Sequence, residues 1–215
     1  MPIPTREITE PLRIMGVAGS PYTRKMRALL RFRGIPYRII RQSSAEFASL
    51  PKPKVGLLPT FYLPNENGET VAVTDSTPLI RRFEREYSGR SVLPTDPVIR
   101  FIDFLLEDYG DEWLTKCMFH FRWAHQSDID KAASILPFYS KIDVTDEQVA
   151  PFSKHISELQ VSRIYVVGSN ETTAPIIEAS YVRFLNLFDA HLQTMPFLLG
   201  NRPGTRDYGC YGQLT

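Results

Sequence analysis

The sequence predicts an α/β domain followed by an all-α one. Three observations lead there. Between residues 12 and 87, short apolar runs bounded by Gly, Pro and Asn alternate with segments of helical spacing. Residues 88–96 (Ser-Gly-Arg-Ser-Val-Leu-Pro-Thr-Asp) form a turn-rich linker. Beyond it the pattern turns helical and rich in aromatics, which suits a helical bundle.

Residues 12–17 are apolar apart from Arg13 and run into Gly19-Ser20-Pro21, so a buried strand is expected. From Tyr22 onward Met26, Leu29 and Leu30 recur at helical spacing among Arg24, Lys25, Arg27 and Arg31. Gly34 and Pro36 end that helix. Residues 37–41 are a second strand, and Pro51 and Pro53 prevent a long helix over 42–58. Residues 60–63 form a third strand, which turns at Asn65–Gly68 and returns over 69–73 as a hairpin. Asp75 or Ser76 caps a helix to about Tyr87, with Leu79, Ile80 and Phe83 inward. Asp96 caps the next helical stretch, with Pro97 at its first position, and that stretch extends to about Gln126. Further helices are expected over 145–160 and 175–193, while 164–167 is ambiguous and 130–172 matches no motif. The expected domains are residues 11–88 and 97–215.

Composition is ordinary for a globular protein, with 43% hydrophobic and 23% charged residues. No apolar run approaches the ~20 residues of a membrane span, and residues 1–10 lack the apolar core of a signal peptide. Cys117 and Cys210 are far apart, lack metal-ligand spacing and are expected to pack as small apolar residues in a reduced, cytoplasmic protein. Net charge is +1, but residues 1–60 hold eleven Lys/Arg against three acids, so they carry +8 and the remainder −7. That asymmetry points to an anion site in the first part, although most of its arginines read as a solvated helix face. No nucleic-acid-binding motif accompanies them, and no nucleic-acid partner is expected.

Ser20 lies where a strand gives way to a helix, and exposed N–H groups and the helix dipole there favour an anion. A thiolate qualifies, because a hydroxyl that donates to S⁻ lowers the thiol pKa. Leu58-Pro59-Thr60 would expose the backbone of Leu58 to a peptide ligand if Pro59 is cis. Only about 5–6% of X-Pro bonds are cis in folded proteins, so the sequence leaves the isomer open. Asp75-Ser76 caps a helix and has the chemistry to hold an ammonium and a carboxylate. Taken singly, each feature also reads as a plain helix cap or turn. Glu107, Asp108, Asp111 and Glu112, followed by His120 and His125, show no metal-binding motif and read as a solvated acidic face; no metal is expected. Tyr109, Trp113, Phe119, Phe121 and Trp123 read as core. Val166-Val167-Gly168-Ser169 lacks the glycine spacing and the lysine of a phosphate loop.

In order and spacing, Ser20-Pro21-Tyr22-Thr23, Gly56-Leu57-Leu58-Pro59-Thr60 and Thr74-Asp75-Ser76-Thr77-Pro78 resemble the N-terminal domain of the cytosolic glutathione transferases. Residues 197–208 resemble the loop and helix start of that family's helical domain. The resemblance implies a thioredoxin-like domain followed by a helical bundle, with Ser20 and Thr23 where thiol-redox relatives carry Cys-x-x-Cys. Ser20 would face the glutathione sulfur beside Tyr22. Leu58, before a cis Pro59, would pair with the cysteinyl unit, and Asp75 and Ser76 would hold the γ-glutamyl group. Tyr109 and Trp113 would line the pocket for a small hydrophobic electrophile.

The implied protein is a cytoplasmic, homodimeric detoxification enzyme with glutathione as co-substrate. It would conjugate or act as a peroxidase, and it lacks the cysteine a thiol reductase needs. The alternative is a non-catalytic binding module on the same fold. Three departures bear on this. Leu57 stands where the family often has a polar or basic residue, leaving Lys54 and Arg41 as candidates for the glycyl carboxylate. Gly204 replaces the Ser/Thr of a capping box with Asp207, at a cost of a few tenths of a kcal/mol. Thr215 falls just inside a helix that the family continues, so a fragment or a differently closed bundle is expected.

Overall fold

The computed structural model describes residues 10–139 and 143–214. Thr215 and most of the polar N-terminal stretch lie outside the described residues.

The N-terminal part is a thioredoxin-like domain. Strand β1 (Leu12–Met15) pairs in parallel with β2 (Tyr37–Ile39) and antiparallel with β3 (Thr60–Pro64). Strand β4 (Thr70–Val73) completes the sheet in the order β2-β1-β3-β4. The parallel pair needs a crossover, and α1 (Pro21–Arg33) supplies it. Ser20 caps α1 at its start, and Gly34 ends it at φ 70°, a left-handed conformation that glycine adopts without a Cβ penalty. Helix α3 (Ser76–Glu86) lays Leu79, Ile80 and Phe83 on the sheet beside Met26, Leu29 and Leu30 of α1. Between β2 and β3 a short helix, α2 (Ala45–Ser49), is capped by Ser44; five residues are too few to show a helical period along the chain.

The helical part begins with α4 (Pro97–Asp108), capped by Asp96 as expected. The expected single stretch to Gln126 is interrupted. A π-helical turn (Tyr109–Leu114) joins α4 to α5 (Thr115–Trp123). Helix α6 (Gln126–Ile135), α7 (Asp146–Val161) and α8 (Ala174–Leu192) follow. Ile164–Val167 is a 3-10 turn closed by Gly168. No helix among the described residues is long and apolar enough to cross a membrane.

Helix α9 (Thr205–Gln213) is the wedge between the two parts. Asp207 accepts from the Gly204 N–H at 2.8 Å and from the Leu198 N–H at 2.9 Å. Glycine has no side chain to return that bond, so half of a capping box survives. At its other end a Cβ on Gly212 would meet the Pro21 carbonyl oxygen at 2.7 Å, which shows how closely α9 lies on α1. A buried cluster pins its start. Arg206 Nη1 donates to Asp103 of α4 at 2.6 Å and Thr205 Oγ1 donates to the same carboxylate at 2.8 Å.

Candidate functional site

The turn at the head of α1 is held from two sides. Arg24 Nε donates to the Ala18 carbonyl at 2.6 Å and Arg122 Nη1, from α5, donates to the Gly19 carbonyl at 3.2 Å. Burial pushes the Arg122 pKa down, and the nearby Arg24 charge adds to that. Ser20 Oγ accepts from the Thr23 N–H at 3.3 Å, which leaves the hydroxyl proton free to donate. Leu136 and Tyr139, from the stretch without a sequence motif, cover this turn. A Cβ on Gly19 would lie 2.5 Å from Leu136 and 2.9 Å from Tyr139.

A cavity of about 460 Å³ opens beside the turn, between the two parts of the chain. Its N-terminal wall consists of Tyr22, Leu57, Leu58, Pro59, Asp75, Ser76 and Thr77. The Leu58–Pro59 bond is cis. Among the described residues no hydrogen bond engages the main-chain N–H or C=O of Leu58. Asp75 sits at φ 79°, an unusual backbone for a residue with a side chain, and its carboxylate accepts from the Thr77 N–H at 3.3 Å. Ser76 opens α3, so the positive end of a helix faces the cavity. Five of the expected binding residues thus meet there: Tyr22, Leu58, Pro59, Asp75 and Ser76. Ser20, Lys54 and Arg41 are not among the lining residues.

The opposite wall is Phe104, Glu107, Asp108, Asp111 and Glu112. The solvated acidic face expected here forms only in part: Asp108 and Glu112 are exposed, and Glu107 and Asp111 turn inward. Glu107 and Asp111 are 2% and 6% exposed, and both bind Lys25, which is 1% exposed. Lys25 Nζ lies 2.7 Å from Glu107, 2.5 Å from Asp111 and 3.1 Å from Ser76 Oγ. Thr77 Oγ1 also donates to Glu107 at 3.0 Å. One ammonium thus serves two carboxylates. Burial pushes the Asp111 carboxyl up to about 6, with Lys25 opposing and Glu107 reinforcing the rise. Asp111 Oδ1 is buried with no hydrogen-bond partner. The Tyr22 hydroxyl donates to the Asp111 carbonyl at 2.7 Å, and burial raises its pKa.

Tyr109 and Trp113 do not line the cavity. Tyr109 packs on Phe184 with ring centroids 5.9 Å apart, and Trp113 Nε1 donates to Ser180 at 2.9 Å, both partners on α8. Two residues along a helix turn by roughly 200°, so turning Glu107 and Asp111 inward sends Tyr109 and Trp113 to the other side. Phe104 is the aromatic that reaches the cavity, with the Arg81 guanidinium 5.1 Å from its ring centroid. Lys25 was legible in principle: it shares a helical face with Tyr22, Met26 and Leu29. Cys117 and Cys210 are buried free thiols, as expected, and burial pushes Cys210 up to about 12.

Residues 14–91 match the family described as the N-terminal domain of glutathione S-transferase. No curated protein sequence matches the chain. Solved structures of similar fold include the β-etherase LigF from Sphingobium sp., 16% identical with a TM-score of 0.60, covering 94% of this chain and 82% of that one. FzlA from C. crescentus is 15% identical with a TM-score of 0.58, covering 95% of this chain and 77% of that one. A glutathione S-transferase from Rhodospirillum rubrum is 16% identical with a TM-score of 0.54, covering 94% and 76%. The sequence match over β1 to α3 ties residues 14–91 to the glutathione S-transferase N-terminal domain, and the strand order with the helical part that follows gives the chain the same fold as these solved structures.

Proposed function

We propose that the cavity binds glutathione and that the protein is a transferase which activates the glutathione thiol for attack on a small electrophile. The observation that carries this reading is the convergence of Leu58–Pro59, Asp75 and Ser76 on one cavity, with the main chain of Leu58 free to pair. In this reading Leu58 pairs with the cysteinyl unit and Asp75 receives the γ-glutamyl ammonium. Ser76, whose oxygen already accepts from Lys25, donates its proton to the γ-glutamyl carboxylate. Ser20 donates to the sulfur at the head of α1 and favours the thiolate over a thiol of ordinary pKa near ~8.5. Phe104 supplies apolar contact for the electrophile, and the acidic wall around it disfavours anionic ones. The protein pairs as a homodimer; support comes from Val98, Phe101 and Leu105, which form an exposed apolar stripe along α4.

The test is a calorimetric titration with glutathione, together with thiolate absorbance of the complex against pH. Asp75→Ala is expected to weaken binding by about ten- to a hundredfold, the loss of a charge-assisted bond worth ~1.5–3 kcal/mol. Ser20→Ala is expected to leave affinity near wild type and to raise the bound thiol pKa. Absence of binding at millimolar glutathione overturns the proposal. A second reading, a non-catalytic module, draws on the position of Ser20 outside the lining and beneath Leu136 and Tyr139. It expects binding with an unshifted thiol in both proteins.

A further inference from the structure

Away from the cavity, the far end of α5 brings three ligand-type side chains to one point. His120 lies in the last turn of α5 and is buried. His125 follows in an extended residue that precedes α6. Glu178, 58 residues beyond His120, comes from the second turn of α8. His120 Nε2 is 3.1 Å from Glu178 Oε1, and His125 Nε2 is 3.7 Å from the same oxygen. One donor atom from each of the three residues lies within 4.8 Å of the others.

We propose that His120, His125 and Glu178 form a binding site for a divalent transition-metal ion of the zinc type. The distances suit one. Zinc bonds of about 2.0–2.2 Å in a tetrahedron place neighbouring ligand atoms roughly 3.4 Å apart, and the two separations to Glu178 straddle that value. Direct bonding accounts for only one of the two contacts, the 3.1 Å hydrogen bond between His120 Nε2 and Glu178 Oε1. At 3.7 Å the His125 nitrogen is beyond hydrogen-bond reach of the carboxylate, so its ring faces Oε1 without bonding it. An ion between the three atoms accepts all three lone pairs. The supporting contact that metal-bound histidines use is also present, for His120 Nδ1 lies 2.8 Å from Ser169 Oγ. With Nδ1–H donated to that hydroxyl, the Nε2 lone pair points at the site, and a bound ion takes the place of the direct Nε2–Glu178 hydrogen bond. His125 and Glu178 are about half exposed, which gives an ion entry and leaves water the remaining position.

The sequence concealed the site because its two histidines show no metal-binding motif and the third ligand arrives only through tertiary packing. Such an ion ties the α5–α6 corner to α8. The proposal is independent of glutathione binding.

The experiment titrates zinc alone into the chelator-treated full chain, against a competing chromophoric chelator, and records thermal unfolding with and without zinc. About one ion per chain is expected, with at least tenfold weaker binding in His125→Ala and in Glu178→Gln. Zinc should raise the unfolding temperature of the wild type and not of the two variants. Both substitutions are at exposed or half-exposed positions, so both variants are expected to fold. No stoichiometric zinc binding by the wild type overturns the proposal. So does binding that both variants retain, or binding lost instead in Cys117→Ala.

Discussion

Lys25 concentrates the electrostatics of the cleft. Its ammonium is buried against Glu107 and Asp111, and one positive charge cannot neutralise two carboxylates. Removing it strands both, and Lys25→Met is expected to cost about 3–5 kcal/mol in urea unfolding, the loss typical of a broken buried pair. The pH dependence follows from Asp111. Its folded pKa of about 6 lies above the ~3.9 of an unfolded aspartate, so the native state holds the extra proton between those values. Its contribution is therefore full below pH ~4 and is lost as pH rises through ~6. Asp111→Asn keeps the protonated shape at every pH. The stability difference between wild type and Asp111→Asn should shift against the wild type over that window, as read from urea midpoints at pH 4, 5, 6 and 7. A difference that is flat with pH would refute the assignment.

At the scale of elements, α9 makes the most exacting contacts. It crosses α1 so closely that Gly212 admits no Cβ without displacing the Pro21 carbonyl. Gly212→Ala is expected to cost about 1–3 kcal/mol from overpacking, measured by chemical denaturation. The same closeness explains the π-helical turn. A Cβ on Gly110 would lie 3.0 Å from the Gly209 carbonyl carbon, so α9 presses on the chain just where α4 passes into α5. Helix α4 has the opposite character, with an open apolar stripe. Phe101→Glu places a charge in its middle and is expected to convert the proposed dimer to a monomer by light scattering, with the monomer keeping its far-ultraviolet spectrum.

For the whole molecule, the cleft belongs to both parts. Lys25 is in the first and its two carboxylates are in the second, while α9 covers α1. A fragment comprising residues 10–96 alone is therefore expected to bind hydrophobic dye and to lack a cooperative unfolding transition, although the family match lies wholly within it.

Much of the first part was legible because its signals are local. Gly34 and Pro36 stop a helix by backbone geometry, Asn65–Gly68 makes a turn, and Asp75 and Asp96 cap helices within three residues of themselves. The second part was legible as helices and not as faces. Glu107 with Asp111, and Tyr109 with Trp113, are equally good i, i+4 pairs, and nothing along the chain says which turns inward. That choice is made by Lys25, a buried charge 82 residues away from Glu107, whose desolvation cost demands carboxylate partners. The cover of Leu136 and Tyr139 over Gly19 and the meeting of Glu178 with His120 and His125 are likewise long-range. The sequence by itself determined the strand order and the main helices of the first part, the capped turns around Ser20 and Asp75, and the family resemblance of residues 14–91. Only the tertiary structure decided which side chains face the cleft, because burial and charge compensation act between segments that the chain separates.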